Sequence, residues 1–97
     1  NGTIPELVKN GVSNCSYFAF TFESENQLLD LREGLDKLGI ATRRYFYPTL
    51  NKLPYVAHMD CPRAEDIASR ILCLPLYFEL EEAMIVKISE FIVAELK

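Results

Sequence analysis

A chain of 97 residues that is 49% hydrophobic and 25% charged has the length and composition of one globular domain, rich in apolar side chains. Its net charge of −4, from 14 acidic and 10 basic side chains, argues against a nucleic-acid module, which normally presents a basic face. No apolar run approaches the roughly 20 residues that cross a bilayer, and no signal-peptide pattern opens the chain, so no membrane partner is expected.

The chain begins Asn1-Gly2-Thr3 without a methionine, which reads as a processed or trimmed fragment. Residues 1–15 mix Pro5 and two glycines with polar side chains and are expected to be a lead-in or linker, the domain proper being residues 16–97. Residues 17–23 alternate with period two. Phe18, Phe20 and Phe22 share one face, and Tyr17, Ala19, Thr21 and Glu23 the other, which predicts a strand with an aromatic face in a core. Ser24 and Gln27 form a capping box. The helix it opens carries Leu28, Leu31, Leu35 and Leu38 on one stripe. Gly39 closes that helix in a left-handed conformation, with Ile40 packing back on Leu35.

Residues 40–46 are short, β-branched and aromatic, and predict a second strand. Residues 47–61, with Pro48, Asn51 and Pro54 and no periodicity, predict a long ordered loop, and loops of this length in compact domains are often functional. Pro62 suits a first helical position. Ala64, Ile67, Ala68, Ile71 and Leu72 then mark a short helix, and Leu72-Cys73-Leu74, ended by Pro75, a third strand. Glu81 and Glu82 favour the start of a last helix. Its stripe is Ile85, Ile88, Ile92 and Leu96, flanked by Met84, Val86, Phe91 and Val93. So wide an apolar face exceeds what one small sheet covers, the alternative being a helix unusually buried within the domain. The order strand, helix, strand, loop, helix, strand, helix predicts a two-layer α+β sandwich.

Chemistry-bearing residues are sparse. Lys9, Lys37, Lys52, Lys87 and Lys97 read as solvated. Arg43 and Arg44, adjacent on a predicted strand, point to opposite faces and do not act together on one anion. Of the two, Arg44 shares parity with Phe46 and is the candidate for a diphosphate, through its planar fork of donors; ion pairing is the other use for both. His58, Asp60 and Cys61 lack a fourth converging ligand, so no metal site is expected. Glu65 at a helix start reads as a dipole partner before a general base. Three cysteines, Cys15, Cys61 and Cys73, at spacings unsuited to a disulfide framework, imply reduced thiols and a cytoplasmic location. No glycine-rich phosphate loop occurs.

Five short runs occur in order along the chain: Lys37-Leu38-Gly39-Ile40, Tyr47-Pro48, Leu53-Pro54-Tyr55, Cys61-Pro62-Arg63-Ala64-Glu65 and Leu72-Cys73-Leu74-Pro75-Leu76-Tyr77. Together they resemble the C-terminal domain of the DegT/DnrJ/StrS family of aminotransferases from residue 17 to residue 96. The resemblance implies a small domain of three antiparallel strands and about three helices, packed beside a large N-terminal domain that holds pyridoxal phosphate and the catalytic lysine. No catalytic and no cofactor-binding residue is then expected in this chain, and the isolated chain should be inactive. The same resemblance implies a homodimer, and transfer of an amino group, usually from glutamate, to a nucleotide-linked keto-sugar for surface polysaccharide or glycosylated products. Arg44, Phe46, Tyr47 and Asn51 are the residues expected on the substrate side of the cleft. Phe46 stands where many members carry the histidine of His-Tyr-Pro, and another histidine is common where Asn51 or its neighbour falls. The run from Arg43 to Pro48 resembles a subgroup that makes 4-amino-4,6-dideoxyglucose nucleotides; loss of the histidine equally fits another keto-sugar. A free-standing small α+β module that binds a ligand or partner is the competing class.

Overall fold

The structure, a computed structural model, describes residues 2–45 and 47–96. Asn1, Phe46 and Lys97 lie outside the described residues, and with Phe46 goes one expected substrate-side residue. The elements are strands β1 (Gly2–Thr3), β2 (Phe18–Phe22) and β3 (Ile71–Leu74) and helices α1 (Glu25–Lys37), α2 (Pro62–Arg70) and α3 (Glu82–Glu95), with one 3-10 turn at Leu50–Lys52. They form a three-stranded antiparallel sheet in the order β1-β2-β3, the α+β architecture the sequence predicts.

Two strands are not where the periodicity puts them. Gly2–Thr3, in the lead-in, supplies the β1 edge by pairing Gly2 with Phe22 and Thr3 with Thr21. The expected strand over residues 40–46 shrinks to an isolated bridge between Arg43 and Cys73, closed by two backbone hydrogen bonds of 3.0 and 2.8 Å. Its ladder cannot extend. Toward Ala41 the next partner is Pro75, which has no amide hydrogen to give, and in the other direction the chain turns at Tyr45. The helix expected to run through Leu72 ends at Arg70, and Ile71 and Leu72 belong to β3.

Helix α1 starts and stops as its sequence dictates. The Ser24 hydroxyl accepts the Gln27 N–H at 3.2 Å, and the Gln27 side chain accepts the Glu23 N–H at 3.1 Å, one residue earlier than an ideal capping box. At the other end Gly39 has φ of 77°. The Ile40 N–H bonds Leu35 O and the Gly39 N–H bonds Asp36 O, both at 2.9 Å, which is the Schellman closure. It turns Ile40 into the core beside Leu35.

That core lies on one face of the sheet. Phe22 and Leu72, with Phe20 and Leu74 beside them, meet Leu28, Leu31 and Leu35 of α1 and Ile88 and Ile92 of α3. Phe22, Leu28, Leu31, Leu35 and Leu72 are wholly enclosed, each contributing about 1.5–3 kcal/mol by burial. Gly34 lets α3 come close: a Cβ there would stand 2.5 Å from the Phe91 ring. Helix α3 packs on the core through Met84, Ile88, Phe91, Ile92 and Leu96, while Ile85 of the expected stripe, and likewise Leu38 of α1, are left half-exposed. Ile85, Val86 and Val93 remain an open apolar strip on α3, as the width of its face foretells. The radius of gyration, 14.8 Å, exceeds the about 12.5 Å of a compact chain of this length.

Replacing Gly39 by alanine meets no atom within 4 Å, so only the left-handed backbone resists it. Gly39→Ala should destabilise the chain by about 1 kcal/mol, read as a lower urea midpoint with unchanged slope. An unchanged or higher midpoint would show that the Schellman turn does not hold α1 in place.

Candidate functional site

The strand pair that builds the core also leaves a groove on its other face. Ala19 lies opposite Cys73 in the β2–β3 register, and Thr21 opposite Ile71. The small pair leaves room between α2 and the loop of residues 47–61. The result is a cavity of about 790 Å³ floored by Ala19, Ile71 and Cys73, with Ala64, Ile67 and Ala68 on the α2 side and Leu50, Val56 and Met59 on the loop side. This volume suits a small molecule or an inserted side-chain cluster. Polar character is confined to Tyr17, Tyr45, Thr49 and Asn51 among the groups lining it. Tyr17 and Tyr45 meet edge to face, ring centroids 4.9 Å apart. Burial pushes the Cys73 thiol up, which favours its neutral form on the floor.

The loop is fastened along its length. It enters through a cis Tyr47–Pro48 peptide and makes one 3-10 turn, Leu50–Lys52. The Asn51 side-chain amide donates to Met59 O across the loop at 2.7 Å. Lys52 pairs with Glu65 at 2.9 Å, and the other Glu65 oxygen accepts the Cys61 N–H, also at 2.9 Å. Glu65 therefore caps α2 and staples the loop to it. The Lys52 ammonium first, and the Cys61 N–H second, hold its carboxyl below the usual carboxylate range, while Glu65 raises Lys52. This is the helix-start role read from the sequence, with a lysine partner that sequence spacing does not reveal. Thr49 Oγ1 and Arg44 Nε are buried without a hydrogen-bond partner among the described residues.

Arg43 and Arg44 separate, as their alternation requires. Arg43 donates to the Tyr45 hydroxyl at 2.8 Å and lies over its ring. Arg44 turns inward, with its side chain 11% exposed. Its Nη2 donates to Glu25 Oε1 at 2.9 Å and to Ser69 O at 3.0 Å, and its guanidinium lies 3.8 Å from the centroid of the Tyr47 ring. Tyr47 itself is half-exposed. The structure thus brings Arg44 and Tyr47 together and sets Asn51 on the groove, two parts of one loop. His58 pairs with Asp60 at 3.0 Å on the surface, and no group of three metal-ligating side chains occurs among the described residues. No helix among them is long and apolar enough to cross a membrane.

Pyridoxal phosphate, the cofactor implied by the sequence resemblance, needs a lysine and a cradle for its phosphate. The groove lining holds neither a lysine nor an arginine, and Lys37 and Lys52 pair with Glu33 and Glu65. The groove by itself does not fit that group.

Comparison with known proteins follows the same line. The model of a family described as the DegT/DnrJ/EryC1/StrS aminotransferase family matches residues 3–93. The chain is 32% identical over 98 residues to a dTDP-4-amino-4,6-dideoxy-D-glucose transaminase of Escherichia coli, which takes in 90% of this chain and 26% of that protein. It is 34% identical over 92 residues to a protein of the same description from Shigella dysenteriae, taking in 89% and 24%. The chain spans about a quarter of the length of these relatives.

The staple makes a pH-dependent prediction. A carboxyl whose folded value lies below its unfolded value of about 4.3 contributes stability above that pH and loses it as pH falls through the folded value. Glu65→Gln should therefore lower the urea midpoint at neutral pH, and the gap from the parent chain should close progressively below about pH 4.3. A gap that persists unchanged into strong acid would mean that the Glu65 charge does not fasten the loop.

Proposed function

The chain belongs to the DegT/DnrJ/EryC1/StrS aminotransferase family, and we propose that it is the C-terminal small domain of a longer sugar aminotransferase. The single observation that carries this reading is the family match, which runs through the whole groove and its loop. The sugar transaminases it resembles are about four times as long, which supports a large domain beside this one. The longer protein would move an amino group from glutamate to the keto carbon of a nucleotide-linked deoxysugar, in the cytoplasm. The relatives point to dTDP as the nucleotide and to carbon 4 of a 4,6-dideoxyglucose as the aminated position.

In this reading the chain contributes one wall of a cleft, and the large domain the other. Pyridoxal phosphate and the lysine that acts on it belong to the large domain, where the cofactor supplies the amino-group carrier. Arg44, Phe46, Tyr47 and Asn51 make up the substrate side, with Asn51 on the groove and Arg44 behind Tyr47. The loop staples orient these side chains, and the apolar groove floor disfavours water on that side. The open apolar strip on α3 and the exposed Ile4, Leu7, Val8 and Val12 of the lead-in supply surface for the large domain and for a second subunit, because patches of this kind in a small domain mark contacts.

The test uses the longer protein. With glutamate and dTDP-4-keto-6-deoxyglucose it should yield the 4-amino sugar and 2-oxoglutarate in equal amounts. Borohydride reduction followed by peptide mapping should place the pyridoxyl group on a lysine outside residues 1–97. Absence of the amino sugar, with any nucleotide-linked keto-sugar, would overturn the proposal, as would a modified lysine within this chain.

A further inference from the structure

Arg44 is the one arginine whose sequence position suggests a ligand contact and whose side chain faces away from solvent. One terminal nitrogen serves both Glu25, in the first turn of α1, and the Ser69 carbonyl, at the end of α2. Two elements of the domain's frame thus grip the guanidinium from one side. Its flat face then carries the ring of Tyr47 at 3.8 Å, and Tyr47 immediately precedes Pro48 at the loop entrance. The guanidinium suits this task because it is planar, always charged and weakly hydrated, so it can stack and donate at once. An ammonium at the same place keeps attraction to Glu25 but offers no plane for the ring.

We propose that Arg44 is a positioning residue: it fixes the Tyr47 ring, and with it the entrance of the substrate loop, without touching the substrate. This rests on the aminotransferase reading for what the loop binds, but not for how the loop is held. Geometry separates the two roles. A phosphate-binding arginine points its donor fork at the cleft, whereas Arg44 is nine-tenths covered, commits Nη2 to Glu25 and Ser69 and keeps Nε buried without a partner among the described residues. About half of Tyr47 remains exposed.

The experiment compares Arg44→Lys, Tyr47→Leu and the double variant in the longer protein, by steady-state kinetics and by hydrogen exchange. Arg44→Lys should raise KM for the nucleotide-linked keto-sugar about tenfold while kcat stays within about twofold, as for loss of uniform binding. The double variant should be no worse than Tyr47→Leu alone, because both changes remove one shared contact. Exchange should quicken in residues 47–61 and stay unchanged in α1 and β3. Additive KM effects would overturn the proposal by showing that Arg44 meets the ligand independently of Tyr47. Faster exchange throughout the domain would overturn it by showing a general role in stability. Should the parent protein aminate no keto-sugar, the functional reading fails, and the exchange pattern alone decides this one: confined to the loop it stands, spread or absent it falls.

Discussion

The antiparallel register that sets Ala19 opposite Cys73 and Phe20 opposite Leu72 divides the sheet into two faces with different chemistry. On one, Phe20, Phe22, Leu72 and Leu74 meet α1 and α3 and close a dry core. On the other, small side chains leave the groove open. Side chains alternate strictly along a strand, so a slip of one residue would send the phenylalanines into the groove and Thr21 into the core. Core and candidate site therefore rest on the same four paired residues. The helix caps serve this arrangement: the Gly39 turn returns the chain from α1 to the sheet and delivers Arg43 to the free edge of β3.

Fastenings from the frame then turn an aperiodic segment into a defined loop. At its entrance Tyr47 lies on Arg44, which Glu25 and Ser69 hold. At its middle Asn51 spans to Met59. At its exit Glu65 binds both Lys52 and the Cys61 amide. Arg70 adds a further tie between layers, donating to Phe22 O at 2.7 Å while pairing with Asp66. These charged contacts sit at the margins of the apolar core and groove, where each replaces water without the full cost of burying an isolated ion.

What the sequence made legible was local. Helix α1 could be read residue by residue because its cap, stripe and closing glycine lie within one run of chain. The two faces of β2 followed from alternation, and Pro62 announced α2. Non-local pairing was hidden. Gly2–Thr3 has no periodicity of its own and is a strand only because β2 offers it an edge. Residues 40–46 have strand composition but meet Pro75 where a partner amide is needed. In the candidate site, Asn51 lies on the groove and Tyr47 on Arg44 instead, and the inward turn of Arg44 depends on Glu25 and Ser69, which are 19 and 25 residues away. The groove floor depends on a register between two distant strands. The face of α3 was legible in Ile88, Ile92 and Leu96, which join the core, but the contacts extend to Met84 and Phe91 and leave Ile85 half-exposed.

A family match over nearly the whole chain, a groove of ligand-sized volume and a stapled loop at its edge together support one wall of a sugar aminotransferase cleft. The most direct test of that account is hydrogen exchange on the longer protein with and without the nucleotide-linked keto-sugar. The account predicts slowed exchange on ligand addition across residues 47–61, while the α1 and β3 amides stay as they were. Ligand binding that leaves residues 47–61 unchanged and protects only residues outside this chain would contradict it.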